Sequence, residues 1–429
     1  MGSGRYHSDD RFPRRRSFCS QTPEQPAKIP PVNPFEAELD RRLSGLHQEG
    51  LYRQLRRINS AQSPHLQTAE STLLNFASND YLGLANHPAL KLAAIHAVES
   101  FGAGSGASRL LCGSLAPFHQ LEESLASFKG TEAALTFSSG YTAALGSITA
   151  IAGKNDILIL DKLVHACIVD AARLSGARLR IFAHNDPADL EHKLQWAQQQ
   201  QARTASTRIL VITESVFSMD GDTAPLREII ALKDKYGAWL MVDEAHATGL
   251  YGERRRGLAE ELGVSEGIEL QMGTLGKSLG AGGGFVCGSR RLVDFLVNRA
   301  RSFIFSTAPV PAAAAAATEA IAIVQSGQGA DLRRRLFERI AQFRSDLGLS
   351  KPVYPGAILP LIVGDETKAL AAAHRLREAG FLAPAIRYPS VARGAARLRI
   401  TLTAGHTATE VGQLCAALRT LGLDGYSQP

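Results

Sequence analysis

Leu270-Gln-Met-Gly-Thr-Leu-Gly-Lys277-Ser-Leu-Gly-Ala-Gly-Gly-Gly284 sets one lysine between a short apolar run and a cluster of glycines. Two chemistries use a lysine placed in this way, a phosphate-binding P-loop and a Schiff base. The P-loop spacing, Gly-x-x-x-x-Gly-Lys-Ser/Thr, needs a glycine five positions before Gly276, and position 271 is Gln271, so that template fails. The Schiff-base reading needs a carboxylate that keeps a ring nitrogen protonated. One stands upstream, where the apolar run Trp239-Leu-Met-Val242 enters Asp243-Glu-Ala-His246. Asp243 and Lys277 then end strands on one edge of a sheet, the edge where open α/β sheets bind ligands. The plainer alternative is a surface lysine in a flexible glycine loop, the commoner place for lysine.

The flanking sequence extends the same pattern. Strands are expected at Ala134–Phe137, Asp156–Leu160, Arg180–Phe182, Arg208–Thr213, Trp239–Val242, Leu270–Met272 and Gly284–Cys287, with helix-like segments between them. That alternation predicts an α/β domain with a mostly parallel sheet. Further on, helices are expected near 331–347, 367–379 and 407–421, and strands at Leu359–Val363 and Ala396–Thr403, as in a separate small α/β domain. Pro311 followed by six alanines suits a helix start. Before the large domain, helical spacing runs from Pro34 through Arg56 and Arg57, a strand from Leu73 breaks into a turn, and His87-Pro88 opens a helix through Phe101. The divisions expected are a disordered basic tail (1–33), a leading helix and strand segment (34–84), a large domain (85–310) and a small one (311–429). Gly102-Ala-Gly-Ser-Gly-Ala-Ser-Arg109 nominally matches a dinucleotide fingerprint. It follows a helix where the fingerprint must follow a strand, so it reads as a loop.

A chain of 429 residues, 45% hydrophobic, has more than enough apolar surface for one core. Half of its formal charge of +6 belongs to residues 1–30, where six Lys/Arg face three acids. The body is therefore only mildly basic, and nucleic-acid binding is not expected. Five scattered cysteines without a Cys-x-x-Cys pair suggest neither a disulfide framework nor a metal site and fit a reducing, cytoplasmic setting. No apolar run approaches a membrane span.

The parts a pyridoxal-phosphate site needs each have a candidate. Lys277 is the Schiff-base lysine. Asp243 is the partner of the ring nitrogen, which it keeps cationic, and His246 is within reach of the ring oxygen. Ser139-Gly140-Tyr141 stands at a strand-to-helix turn, where free N–H groups favour an anionic phosphate. His165 leaves another strand and could stack on the ring, and Ser218 could serve the ring oxygen. Each histidine has a structural alternative as a packed strand-end residue.

Ser78-Asn-Asp-Tyr-Leu-Gly-Leu84, Phe182-Ala-His-Asn-Asp186, Thr213-Glu-Ser-Val-Phe-Ser-Met-Asp-Gly-Asp222, Val242-Asp-Glu-Ala-His-Ala-Thr-Gly249 and Thr274-Leu-Gly-Lys277 resemble, in the same order, the α-oxoamine synthases. The resemblance spans roughly residues 35–421. It implies a fold-type I pyridoxal-phosphate transferase, homodimeric and cytoplasmic, that condenses an amino acid with an acyl thioester and releases carbon dioxide. By the same resemblance Lys277 holds pyridoxal 5'-phosphate, Gly140, Tyr141, Ser218, Asp243, His246 and Thr274 bind it, and His165 stacks on its ring. Arg399 takes the amino-acid carboxylate and Arg56 meets the acyl substrate. The family's Pro-Thr-Val-Pro is Pro389-Ser390-Val391-Ala392 here, so Ser390 keeps the hydroxyl and the second proline is lost. Ser218-Met-Asp-Gly-Asp-Thr-Ala-Pro-Leu226, Pro360–Asp365 and Ala385–Val391 are similar to the branch that joins L-alanine to a pimeloyl thioester, pimeloyl-CoA or pimeloyl-acyl carrier protein, in biotin formation. A sister synthase using glycine or serine with another acyl-CoA would share every cofactor residue. A non-catalytic partner subunit of the same fold typically lacks the lysine, which is present here.

Overall fold

The computed structural model describes residues 33–202, 206–350 and 352–423, so the expected basic tail lies, except for Asn33, outside the described residues. The chain divides after Leu55 into two units. The first contributes α1 (Pro34–Gln48), whose start is set by the Asn33 side chain accepting the Phe35 N–H and by proline in the first turn. This helix stops well short of Arg57. Gly50 adopts φ +67, and the Leu51 N–H turns back to the Leu46 carbonyl at 2.8 Å, a left-handed helix ending that glycine makes without steric cost.

The second unit is built on seven strands: β1 (Ala133–Phe137), β2 (Ile157–Asp161), β3 (Arg178–Phe182), β4 (Ile209–Glu214), β5 (Trp239–Asp243), β6 (Leu270–Thr274) and β7 (Gly284–Gly288). Their order is β1-β7-β6-β5-β4-β2-β3. Only β7 runs antiparallel to its neighbours, β1 and β6. The central strands read as continuous apolar runs because both faces of the sheet are covered. Along β4, Ile209 and Val211 enter one core while Leu210 and Ile212 enter the other. Since β7 alone is reversed, the chain leaves β1, β2, β4, β5 and β6 on one common edge, and that edge carries Gly140, Asp161, Glu214, Asp243 and, three residues past β6, Lys277.

Two smaller sheets complete the unit. β8 (Ile358–Gly364), β9 (Ala385–Ile386) and β10 (Ala396–Thr401) form an antiparallel sheet in the order β8-β10-β9. Thr72–Asn75 pairs with His65–Gln67 and, in parallel, with Phe381–Leu382, a union across some three hundred residues that no local pattern announces. The alanine-rich helix α5 (Pro311–Gln325) packs on α2 (Pro88–Phe101), with Ala314, Ala317 and Ala320 buried. Among the described residues no helix is long and apolar enough to cross a membrane, and no cluster of side chains suits a metal ion.

The Phe182-Ala-His-Asn-Asp186 segment acts as a tie between strands. His184 Nδ1 lies 2.9 Å from Asp161 Oδ1 at the end of β2, and its Nε2 lies 2.8 Å from Asp222 Oδ2. Asn185, at φ +52, adds a 2.8 Å bond from Nδ2 to the same Asp222 oxygen. Burial alone would disfavour the imidazolium, but the two carboxylates outweigh it and raise His184 from 6.5 to about 10. A raised folded-state value stabilises the fold fully below pH 6.5, progressively less above it, and not at all once pH passes about 10. Urea midpoints of wild type and His184→Asn are therefore expected to differ most at pH 6 and to converge toward pH 10. A gap that stays constant with pH would contradict the tie.

Candidate active site

Seven residues singled out in the sequence line one cavity of about 170 Å³ at the common strand edge: Gly140, Tyr141, His165, Asp243, His246, Thr274 and Lys277. α3 (Gly140–Ile151) starts there. Ser139 caps it by accepting the Thr142 N–H at 3.1 Å, while Thr142 Oγ1 accepts the Ser139 N–H at 2.9 Å. Among the described residues the main-chain N–H groups of Gly140 and Tyr141 have no acceptor, and as the first N–H groups of the helix they face the outer end of its axis, where the dipole favours an anion. A Cβ at Gly284, which opens β7, would stand 2.5 Å from the Gly140 nitrogen, so only glycine lets that strand approach the helix start. Thr274 adjoins Gly140 and donates from Oγ1 to the Gly283 carbonyl at 3.1 Å. Tyr141 Oη donates to Asp170 Oδ2 at 2.5 Å.

Lys277 Nζ is 2.7 Å from His246 Nε2. Burial lowers the Lys277 ammonium below its ordinary value, with Asp243 and Glu214 opposing the shift. Burial also pushes Asp243 upward, and Lys277 pulls it back. His246 is driven well below the histidine range by burial, then by the positive charges of Lys277 and Arg399, so it is a neutral ring. Its other nitrogen, Nδ1, lies 2.6 Å from Tyr81 Oη, which donates to Asn79 Oδ1 at 3.2 Å. The hydrogen-bond network thus assigns the His246 proton to Nδ1 and leaves Nε2 as the acceptor facing Lys277. Burial raises the Tyr81 phenol to about 12, which keeps its proton in place.

Arg399, on β10, is buried beside this group. It donates from Nε to the Ser218 carbonyl at 2.7 Å and from both terminal nitrogens to Asn79 Oδ1 at 3.2 Å. Ser218 meets the site through that carbonyl, and its side chain is not part of the cavity lining. Ser390 and Arg56 are exposed and also stand outside the lining. The cavity lining includes four residues that the sequence reading passed over, the titratable Glu214 and Cys167 and the apolar Ala245 and Met272. Glu214 closes β4 in register with Asp243 on β5, and its signal was the same as that of Asp243, a carboxylate at the end of an apolar strand.

A lysine with a lowered pKa, a buried strand-end carboxylate and two unpartnered N–H groups at a helix start fit the amine-reactive, ring-nitrogen and phosphate ends of pyridoxal 5'-phosphate. On a mostly parallel sheet they define a fold-type I pyridoxal-phosphate transferase. The chain belongs to the aminotransferase class I and II family, matched over residues 71–418, and within it to the α-oxoamine synthases. It is 47% identical over 383 residues to the 8-amino-7-oxononanoate synthase of Geobacter sulfurreducens, covering 89% of this chain and 96% of that protein. A second such synthase, from Anaeromyxobacter sp. (strain K), is 47% identical over 379 residues, covering 88% and 93%. Among solved structures, the serine palmitoyltransferase of Sphingomonas wittichii superposes with a TM-score of 0.82 at 31% identity, over 93% of this chain and 100% of that one. An 8-amino-7-oxononanoate synthase from Francisella tularensis superposes at 0.68 and 26% identity, over 81% and 96%.

Proposed function

We propose that the protein joins L-alanine to a pimeloyl thioester, forming 8-amino-7-oxononanoate, carbon dioxide and the free thiol, in biotin biosynthesis. The observation that carries this reading is the single cavity that sets Lys277 against His246 and Asp243, in a chain 47% identical to synthases of that name. The higher superposition with a serine palmitoyltransferase is a likeness of backbone shape, and the sequence identity decides the substrate branch.

Bound in the cavity, pyridoxal phosphate supplies an electron sink for the pair left when the Cα–H bond of the amino acid breaks. Lys277 would hold it through Nζ, and the free amine would take the Cα proton on that same atom, a task a lowered pKa suits. His246 Nε2 accepts from Lys277 and keeps the amine oriented. Asp243 would keep the ring nitrogen protonated, and the Gly140 and Tyr141 N–H groups with Thr274 would hold the phosphate. Arg399 binds the alanine carboxylate, in competition with Asn79, and orients the Cα–H toward Lys277. Asp243→Ala is expected to weaken cofactor retention and lower turnover by about 100- to 1,000-fold. Unchanged turnover would refute the role given to the carboxylate.

The protein acts as a homodimer in this account, because α2 leaves Leu92, Ile95 and Val98 exposed along one side, an apolar stripe that a second copy would cover. Sedimentation at twice the chain mass is expected, and a stable single chain would contradict it. The activity itself is tested by mass spectrometry of a reaction containing the holoprotein, L-alanine and pimeloyl-CoA. A product with the mass of 8-amino-7-oxononanoate supports the proposal, and its absence with both coenzyme A and carrier-protein thioesters sinks it.

A further inference from the structure

His165 is held from both ends by groups that the account above leaves unused. It caps α4 (Ala166–Ser175), with Nδ1 accepting the Cys167 main-chain N–H at 3.2 Å and lying 3.0 Å from Cys167 Sγ. Its own main-chain N–H donates to Glu214 Oε1 at 2.5 Å. Both Cys167 and Glu214 line the cavity, and both are 2% exposed.

We infer that Cys167 and Glu214 are positioning residues for His165: Cys167 holds the imidazole through Nδ1, which places the ring's single proton on Nε2, and Glu214 anchors the main chain from which that ring projects. The inference rests on the reading of this cavity as the cofactor site.

The chemistry of each group favours this role over mere packing. An N–H donor and a thiol that converge on Nδ1 leave it no room for a proton of its own. Burial, reinforced by Asp243 and Glu214, keeps the thiol protonated far above the ordinary cysteine range, so sulfur is the donor. Burial also lowers His165, although Asp243 and Asp170 pull it upward, while Lys277 pushes it down with burial. The ring is thus neutral, with a defined donor edge. At Glu214 the preceding strand is apolar, and a valine would fill the position at no desolvation cost. A buried carboxyl beside Asp243 is expensive, and among the described residues its one side-chain hydrogen bond is with the His165 N–H. Burial and then Asp243 push it well above the usual carboxylate range. Glutamine would keep the accepting oxygen without the acid, so the two parts of its role separate experimentally.

The test is a long-range proton–nitrogen correlation spectrum of the holoprotein labelled with ¹⁵N-histidine, with the His165 signals assigned by their loss in His165→Asn. Wild type is expected to show a neutral ring with the proton on Nε2, and Cys167→Ser, which keeps a donor, is expected to show the same. Cys167→Ala keeps the main-chain N–H on Nδ1 but removes the thiol donor, so it should weaken the preference for the Nε2 proton and lower kcat/KM about three- to tenfold, the worth of one hydrogen bond. Serine should restore that loss. Glu214→Gln should retain the His165 pattern, whereas Glu214→Leu should broaden or double it. A wild-type ring with its proton on Nδ1 overturns the inference without any variant, and so does a Cys167→Ala protein with the wild-type tautomer and the wild-type kcat/KM. Because the ring signals need no turnover, inactivity with alanine and pimeloyl thioester would sink the proposed reaction while the tautomer still decides this point.

Discussion

Lys277→Ala is expected to lower turnover by at least about a thousandfold and to stop exchange of the alanine Cα deuteron with solvent. The exchange experiment isolates the first proton transfer from every later step. Lys277 is the one amine in the cavity, its pKa is lowered by burial, and its nearest polar partner, His246 Nε2, is an acceptor. Burial holds His246 well below the histidine range, so its free Nε2 is too weak a base to substitute. The variant keeps the helix start at Gly140 and the carboxylate of Asp243, so it should still bind the cofactor, though no longer covalently. A variant that exchanges the Cα deuteron at the wild-type rate would refute the assignment of the base.

Lys129→Met is expected to destabilise the fold by about 3–5 kcal/mol, the usual cost of leaving one member of a buried ion pair alone. Lys129 Nζ donates to Glu244 Oε2 and to the Arg256 carbonyl, both at 2.5 Å, and both side chains are essentially out of solvent. Glu244 Oε1 accepts the Ala259 N–H at 3.0 Å, and Gly257, at φ +145, lies so close that a Cβ would stand 2.2 Å from Glu244 Oε2. No bulky group can move in to compensate. Glu244 adjoins Asp243, so the loss should also loosen cofactor retention. Replacing both members, Lys129→Met with Glu244→Leu, should recover most of the stability, because the uncompensated charge is then gone. Denaturant midpoints of the single and double variants check this. A single variant as stable as wild type would contradict the pairing.

The legible parts of this molecule were those with a local signature. Strands buried on both faces are short apolar runs, so the seven strands of the main sheet could be placed to within a few residues. Asp243 and Lys277 stood out because each follows such a run, and Gly140 because it opens a helix after one. Glu214 carries the same signature and was passed over, while Ser218, four residues on, was singled out and stands outside the cavity lining. The end of α1 was also readable, at Gly50, against a helical spacing that continued past it. What could not be read was whatever depends on distant pairing. Lys129 and Glu244 are 115 positions apart, and although Glu244 lies in the Val242–Gly249 segment, nothing in that segment marks Lys129 as its partner. Arg399 meets Asn79 across 320 positions, and its part in the site came from the family resemblance, since spacing along the chain carries no information about it. The strand at Phe381–Leu382 is two residues long and exists because Thr72–Asn75 offers it an edge.

The most direct test of the account is thiol release by the purified protein with added pyridoxal phosphate, comparing L-alanine plus pimeloyl-CoA with glycine or serine plus acetyl-, succinyl- and palmitoyl-CoA. Release confined to the alanine and pimeloyl pair is the predicted result. Faster release with any other pair would contradict the proposed reaction and move the protein to a sister synthase with the same cofactor site.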